Sequence, residues 1–264
     1  MLTIDGQKMS KSNGKAMEAF LDDAGAGTEN VTAEDLEISR LQICQKASSH
    51  HEKDSPTGKY IPGIQIGDIL NSSTNQFWSG EEGVTVIPLH YVRMFKEWGE
   101  GGSGFFGAYS LADPIARSGT PLNDYGKDRK LDNGNELHET ATFYLHIVME
   151  DGMLEGVLCD MRSSGLKVAR QWLTTINAQK HKGVSLAAFS SVYQLTTEQK
   201  FNASNQSWHA WKVERKGYTS MTEDTTWEHY EVSRDMYQNI KAGTSKLAAP
   251  VRSAALEVAE DLPF

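Results

Sequence analysis

Apolar and polar positions change spacing several times along this chain. Leu36, Ile38, Leu41 and Ile43 are spaced to open a strand, and Gly83–Trp98 is the clearest strand-like stretch, carrying Val84, Val86, Ile87, Leu89, Tyr91, Val92 and Phe95. Pro88 interrupts that run; it donates no backbone hydrogen bond, so an edge position or a bulge is expected there. A glycine-rich turn, Gly99–Gly107, runs into a further short strand at Phe105–Tyr109. Thr140–Met149 and Gly156–Met161 read as strands joined by the turn Glu150-Asp151-Gly152, and Ala187–Leu195 and Ser207–Val213 read likewise. Between these pairs, Ser163–Gln179 switches to a helical period. Leu166, Ala169, Trp172 or Leu173, and Ile176 fall on one face, with Ser163 or Ser164 placed to cap it. Thr225–Ile240, with Trp227, Tyr230, Met236, Tyr237 and Ile240, is a second expected helix. Ser118–Glu136 is polar and turn-rich, hence a loop or hairpin excursion.

Short strands, glycine turns and a helix set between strands predict a mainly β or α+β fold. The specific expectation is an OB-like Greek-key barrel or curled sheet with insertions and one or two helices. Composition divides the chain further. Residues 1–35 read as an acidic tail, 36–241 as the β-rich body, and 242–264 as a Gly/Ser/Ala/Pro linker ending in a different kind of segment. With 39% hydrophobic residues, six Trp, nine Tyr and nine Phe, the body has the material for a core. No apolar run approaches the ~20 residues of a membrane span, and residues 1–15 lack the apolar stretch of a secretory signal. Cys44 and Cys159 fit neither a disulfide framework nor a metal site. The expectation is a cytoplasmic protein with no membrane partner, no metal and no cofactor; homo-oligomerisation is left open.

Charge changes the functional picture. The net charge of −9 argues against nucleic acid, but it is unevenly spread. Ala16–Ser39 holds seven acids and no Lys or Arg, whereas Arg162–Gly217 holds nine bases against two acids. Aromatic residues interleave with those bases. Cations that follow phosphates and rings that stack on unpaired bases are what a single-strand groove needs. The nucleic-acid-binding candidates in this segment are Arg162, Lys167, Arg170, Lys180, Lys182, Tyr193, Trp208, Trp211, Lys212, Arg215, Lys216 and Tyr218. Trp172 is expected in the core. Trp208 and Trp211, three residues apart, would fall on opposite faces of a regular strand, so a bulge or a single stacking ring is expected.

The chain ends in Glu260-Asp261-Leu262-Pro263-Phe264. This segment resembles the C-terminal tip of bacterial single-stranded DNA-binding proteins, a peptide that docks on replication and repair enzymes. The resemblance implies a partner-binding role for these residues, with Phe264 burying its ring, Pro263 lowering the ordering cost and the carboxylates meeting a basic rim. Tyr60–Asn71, His90–Trp98 and Met161–Trp172 resemble bacteriophage proteins described as single-stranded DNA-binding. That resemblance adds Arg93 and Lys96 to the DNA-face candidates and includes Lys167 and Arg170 again.

Other signals are set aside. Lys8-Met-Ser-Lys-Ser12 spells the adenylate-stabilising loop of class I aminoacyl-tRNA synthetases, without the partner motif that family requires. Gly99-Glu-Gly-Gly-Ser-Gly104 fits G-x-G-x-x-G, yet a strand follows where dinucleotide binding requires a helix; a flexible hairpin, able to close over a strand of DNA, fits better. His50-His51-Glu52 has no completing ligands, and no nucleophile–base arrangement emerges. The reading is therefore a non-catalytic, sequence-nonspecific single-stranded DNA-binding protein of replication or recombination. Its tip would recruit host or phage replication and repair enzymes. The rivals are a nuclease or recombination enzyme carrying the tip, and a decoy that binds tip-recognising proteins but no DNA.

Overall fold

The computed structural model describes residues 38–56, 59–122 and 128–243, together with residue 26 and the paired short strands Thr3–Ile4 and Gln7–Lys8. The rest of the acidic tail at 1–35 and the tip Glu260, Asp261, Leu262, Pro263 and Phe264 lie outside the described residues.

One curled sheet dominates. Its strands are β1 (Arg40–Ile43), β2 (Ile69–Asn71), β3 (Phe77–Trp78), β4 (Val84–Trp98), β5 (Phe105–Ser110), β6 (Thr120–Pro121), β7 (Asp128–Lys130), β8 (Glu136–Val148) and β9 (Leu154–Arg162). After helix α1 (Gly165–Asn177) come β10 (Ser191–Phe201), β11 (Ser207–Tyr218) and helix α2 (Trp227–Lys241). The main order is β11-β10-β4-β8-β9-β1-β2-β3, with β5 on β4, β7 on β8 and β6 on β7. All neighbours are antiparallel except β9 and β1, so the sheet is mixed. A separate two-residue ladder, Lys180–His181 with Val184–Ser185, follows α1.

This is the mainly β, curled-sheet fold with two helices that the residue pattern predicts, and it is consistent with an OB-like barrel. The ends of the sheet approach each other. The Gln45 side chain donates to the His209 carbonyl (2.7 Å) and accepts from the His209 amide (3.0 Å). Thr197 hydrogen-bonds the carbonyls of Gly67 and Gly80. Gly67 is required here on two counts: its φ is +102°, and a Cβ would lie 2.9 Å from the His209 ring.

Pro88 explains the split pairing of β4. One edge of β4 follows β8, with a register shift between Tyr144 and Leu145 opposite the proline. The other edge pairs with β10 only at Val84–Val86 and with β5 only from Met94 onward. The missing N–H falls in the interval between those two ladders.

Alternation along β8 separates two packed layers. Ala141, Phe143, Leu145 and Ile147 face α1, whose Leu166, Ala169, Trp172 and Ile176 are buried at the predicted spacing. Trp172 stacks on Phe143 at 4.2 Å between ring centres. Ser164 occupies the cap position of α1 but makes no side-chain capping bond. On the opposite face, Tyr144 joins Ile87, Leu89, Leu158 and Val192 against α2. His146 reaches Ser233 of α2 at 2.9 Å, and both are buried. Trp227 at the start of α2 is 58% exposed and contributes little to that core.

Candidate nucleic-acid interface

β9 and β1 pair only at Leu158↔Arg40 and Cys159↔Leu41. Beyond these positions lies a groove of about 510 Å3. Its walls come from the splayed ends of β1 and β9, the start of α1, Trp98 and Gly102 of the glycine-rich hairpin, and Trp208–Trp211 of β11.

A charge cluster forms the groove's polar wall. Asp160 stands opposite Thr142 in the β8–β9 ladder and accepts from its hydroxyl at 2.6 Å. Lys96 donates to both Asp160 oxygens (2.7 and 2.6 Å), and Arg40 donates at 2.7 Å. Burial alone would push the Asp160 carboxyl up, but the two cations and the hydrogen bonds outweigh it and hold the group below its ordinary value. Burial also lowers Lys96, against the pull of Asp160. The arrangement obeys the rule that a buried charge must be paired. With Arg162, the groove carries three cations of the Lys/Arg type against the single acid Asp160.

Rings flank this charge. Trp98 and Trp208 are half-buried in the walls, and Trp98 meets Phe105 edge-on at 5.4 Å. Phe105 and Phe106 are 44% and 52% exposed on the hairpin beside the groove. Gly101 and Gly102 both have positive φ and open space at the Cβ position, while Glu100 in the same turn is ion-paired to Lys130 at 2.8 Å.

Of the residues singled out by sequence, Arg162, Trp208, Trp211 and Lys96 meet at the groove. Several expectations need correction. Lys96 is only 2% exposed and spends its charge on Asp160, so it shapes the wall instead of reaching for a ligand. Tyr193 is fully buried and Trp211 is 7% exposed; both pack beneath α1 and offer no face for a base. Trp208, the more accessible of the tryptophan pair, is the stacking candidate. Arg93 is exposed but bonded to Glu139 through Nε at 2.7 Å. The guanidinium of Arg215 lies over the Tyr218 ring at 4.2 Å, which covers one face of each.

The remaining bases spread over several surfaces. Lys167 and Arg170 are exposed on α1. Lys180 and Lys182 lie past its C-terminus, a helix length or ~20 Å from Arg162. Lys212 and Lys216 are exposed on β11 with Glu214 between them, alternating with the inward Trp211, Val213 and Arg215. The basic run thus does not form one channel; strand alternation divides it.

Residues that sequence reasoning missed include Arg40, Trp98, Phe105, Phe106 and Asp160. For Asp160 a signal existed: a single acid inside the apolar run Val157-Leu-Cys-Asp-Met161 has to find a cation if the strand is buried. Lys96, inside Met94-Phe-Lys-Glu-Trp98, is the matching signal. Among the described residues no group of three or more His, Cys, Asp or Glu is arranged to hold a metal ion, and no helix is long and apolar enough to cross a membrane.

Comparison with known proteins places the chain. It belongs to the family of Pam3 phage gp34-like proteins, whose sequence profile matches residues 9–246. No curated protein matches it. No solved structure matches it either.

Proposed function

We propose that this phage-family protein binds single-stranded DNA without sequence preference, in replication or recombination, and acts without catalysis. The observation that supports this reading best is the groove at the parting of β1 and β9. There Arg40, Lys96 and Arg162 outnumber Asp160, and Trp98, Trp208, Phe105 and Phe106 supply rings beside the charge. Backbone phosphates follow the net positive charge, with Arg162 as its exposed cation and Lys96 held in the wall by Asp160, and unpaired bases stack at ~1–3 kcal/mol each with little regard to sequence. The segment Glu260–Phe264 serves, in this proposal, as the docking peptide for replication and repair enzymes.

Titrating the full chain with an oligo-dT strand and following tryptophan fluorescence tests the reading. The expected result is quenching, with an affinity that falls with salt by ~0.7 log unit per phosphate neutralised for each log unit of salt. Duplex DNA of equal length should bind more weakly. Absence of quenching, or equal affinity for duplex, contradicts the proposal. Deleting Glu260–Phe264 should leave strand affinity unchanged or higher and abolish capture of partner enzymes.

A further inference from the structure

A second cavity, of about 170 Å3, lies between α1 and the β10–β11 hairpin, and Trp211 is common to its wall and that of the groove. Most of the unpartnered polar groups around it are donors. Trp172 is 2% exposed, lines the cavity, and its indole Nε1 has no hydrogen-bond partner. Arg215 stands opposite Tyr193 in the β10–β11 ladder, and its Nε and Nη2 are buried without an acceptor. Glu198 is the acid in this wall, and its carboxylate is bonded to Lys200 at 2.7 Å. The Tyr193 hydroxyl in the same wall is also buried without a partner and can accept one of these bonds. The Trp172 N–H and the two Arg215 nitrogens still outnumber it, so donors and positive charge remain in excess.

Leaving buried donors unpaired costs ~1–3 kcal/mol each, more for a charged group. A guanidinium presents a planar fork of N–H groups that matches the oxygens of a phosphate. The cavity has the volume of about six waters at ~30 Å3 apiece, enough for a tetrahedral oxyanion and some of its hydration. Gln171, Thr175 and Lys212 in its wall are exposed, so it opens to solvent on their side.

We propose that this cavity seats one phosphate group, held by the Arg215 guanidinium and the Trp172 indole N–H. The phosphate comes either from the free ion or from the backbone of a bound strand; the second source rests on the strand-binding reading above.

Calorimetric titration of the full chain with inorganic phosphate, at fixed pH and at ionic strength matched with chloride, tests the seat. Saturable binding is expected in the wild type. Arg215→Gln should weaken it at least about tenfold. Trp172→Phe retains a ring on Phe143 while deleting the N–H, so it should weaken binding by a smaller factor; it carries the test if Arg215→Gln fails to fold. No saturable binding beyond chloride, or unchanged affinity in the folded variants, overturns the proposal and leaves the cavity to water. Adding oligo-dT separates the sources: competition with phosphate assigns the seat to the strand backbone, and simultaneous binding assigns it to the free ion. A chain that binds phosphate but no strand sinks the strand-binding reading alone, and a chain that binds strand but no phosphate sinks the seat alone.

Discussion

Along one face of β8, Thr142 and His146 sit in opposite electrostatic settings. Thr142 donates to Asp160, which two cations hold in its ionised form at the groove. His146, on the same strand face, lies under α2 among apolar side chains, and burial pushes its imidazole down to about 4, with His229 adding to the effect. A single strand therefore carries a wet, charged end and a dry, neutral end. What differs is the cover: α2 closes one half of the face, while the other is left to the groove. The lesson is that an open sheet face must either recruit a helix or organise its charges, and this protein does both.

The largest expected effect is at the charged end. Asp160→Asn leaves Lys96 buried without its counter-charge and should cost about 3 kcal/mol in urea denaturation. Lys96→Met should cost clearly less, because Arg40 and Thr142 still serve Asp160. Equal losses in both variants would mean that the cluster does not organise the wall as described.

The covered end should respond to acid. A histidine whose folded pKa lies below its unfolded value near 6.5 contributes stability that is present above that pH and lost as pH falls toward 4. The shift corresponds to ~3 kcal/mol over that window. His146→Asn should flatten the stability profile between pH 6.5 and 4, beside the separate change that Asp160 gives at lower pH. An unchanged profile would show that α2 docking does not depend on a neutral imidazole.

Ligand effects at the groove are expected to be smaller. Trp208→Ala should weaken oligo-dT binding by ~1–3 kcal/mol without altering the fold. Arg162→Gln should lower the salt slope of binding by ~0.7 and leave base preference unchanged. Lys216→Gln, on the exposed side of β11, should do neither.

Much of the fold was legible in the sequence, and the reasons are local. The Leu166–Ala169–Trp172–Ile176 stripe needs one buried helix face, and Pro88 inside an apolar run needs a break in a ladder. The groove was less legible because it depends on where distant segments meet. Arg40 and Asp160 lie 120 residues apart, and nothing local shows that β1 parts from β9 after two residue pairs. The basic run at 162–217 misled for a related reason: linear charge density ignores the alternation that sends Lys212 and Arg215 to opposite faces of β11. Tyr193 and Trp211 look like stacking rings beside cations in sequence, yet they face α1, where Tyr193 meets the Trp172 ring edge-on at 5.6 Å, and so lie in the core.

The central claim is that a strand of DNA lies across the groove, between the glycine-rich hairpin and β11. Photo-crosslinking of a bromodeoxyuridine-substituted strand, followed by peptide mapping, tests it most directly. The account predicts adducts at Trp208 and on the Trp98–Phe106 segment. Adducts confined to the exposed side of β11 or to α2, or none at concentrations that saturate binding, would contradict it.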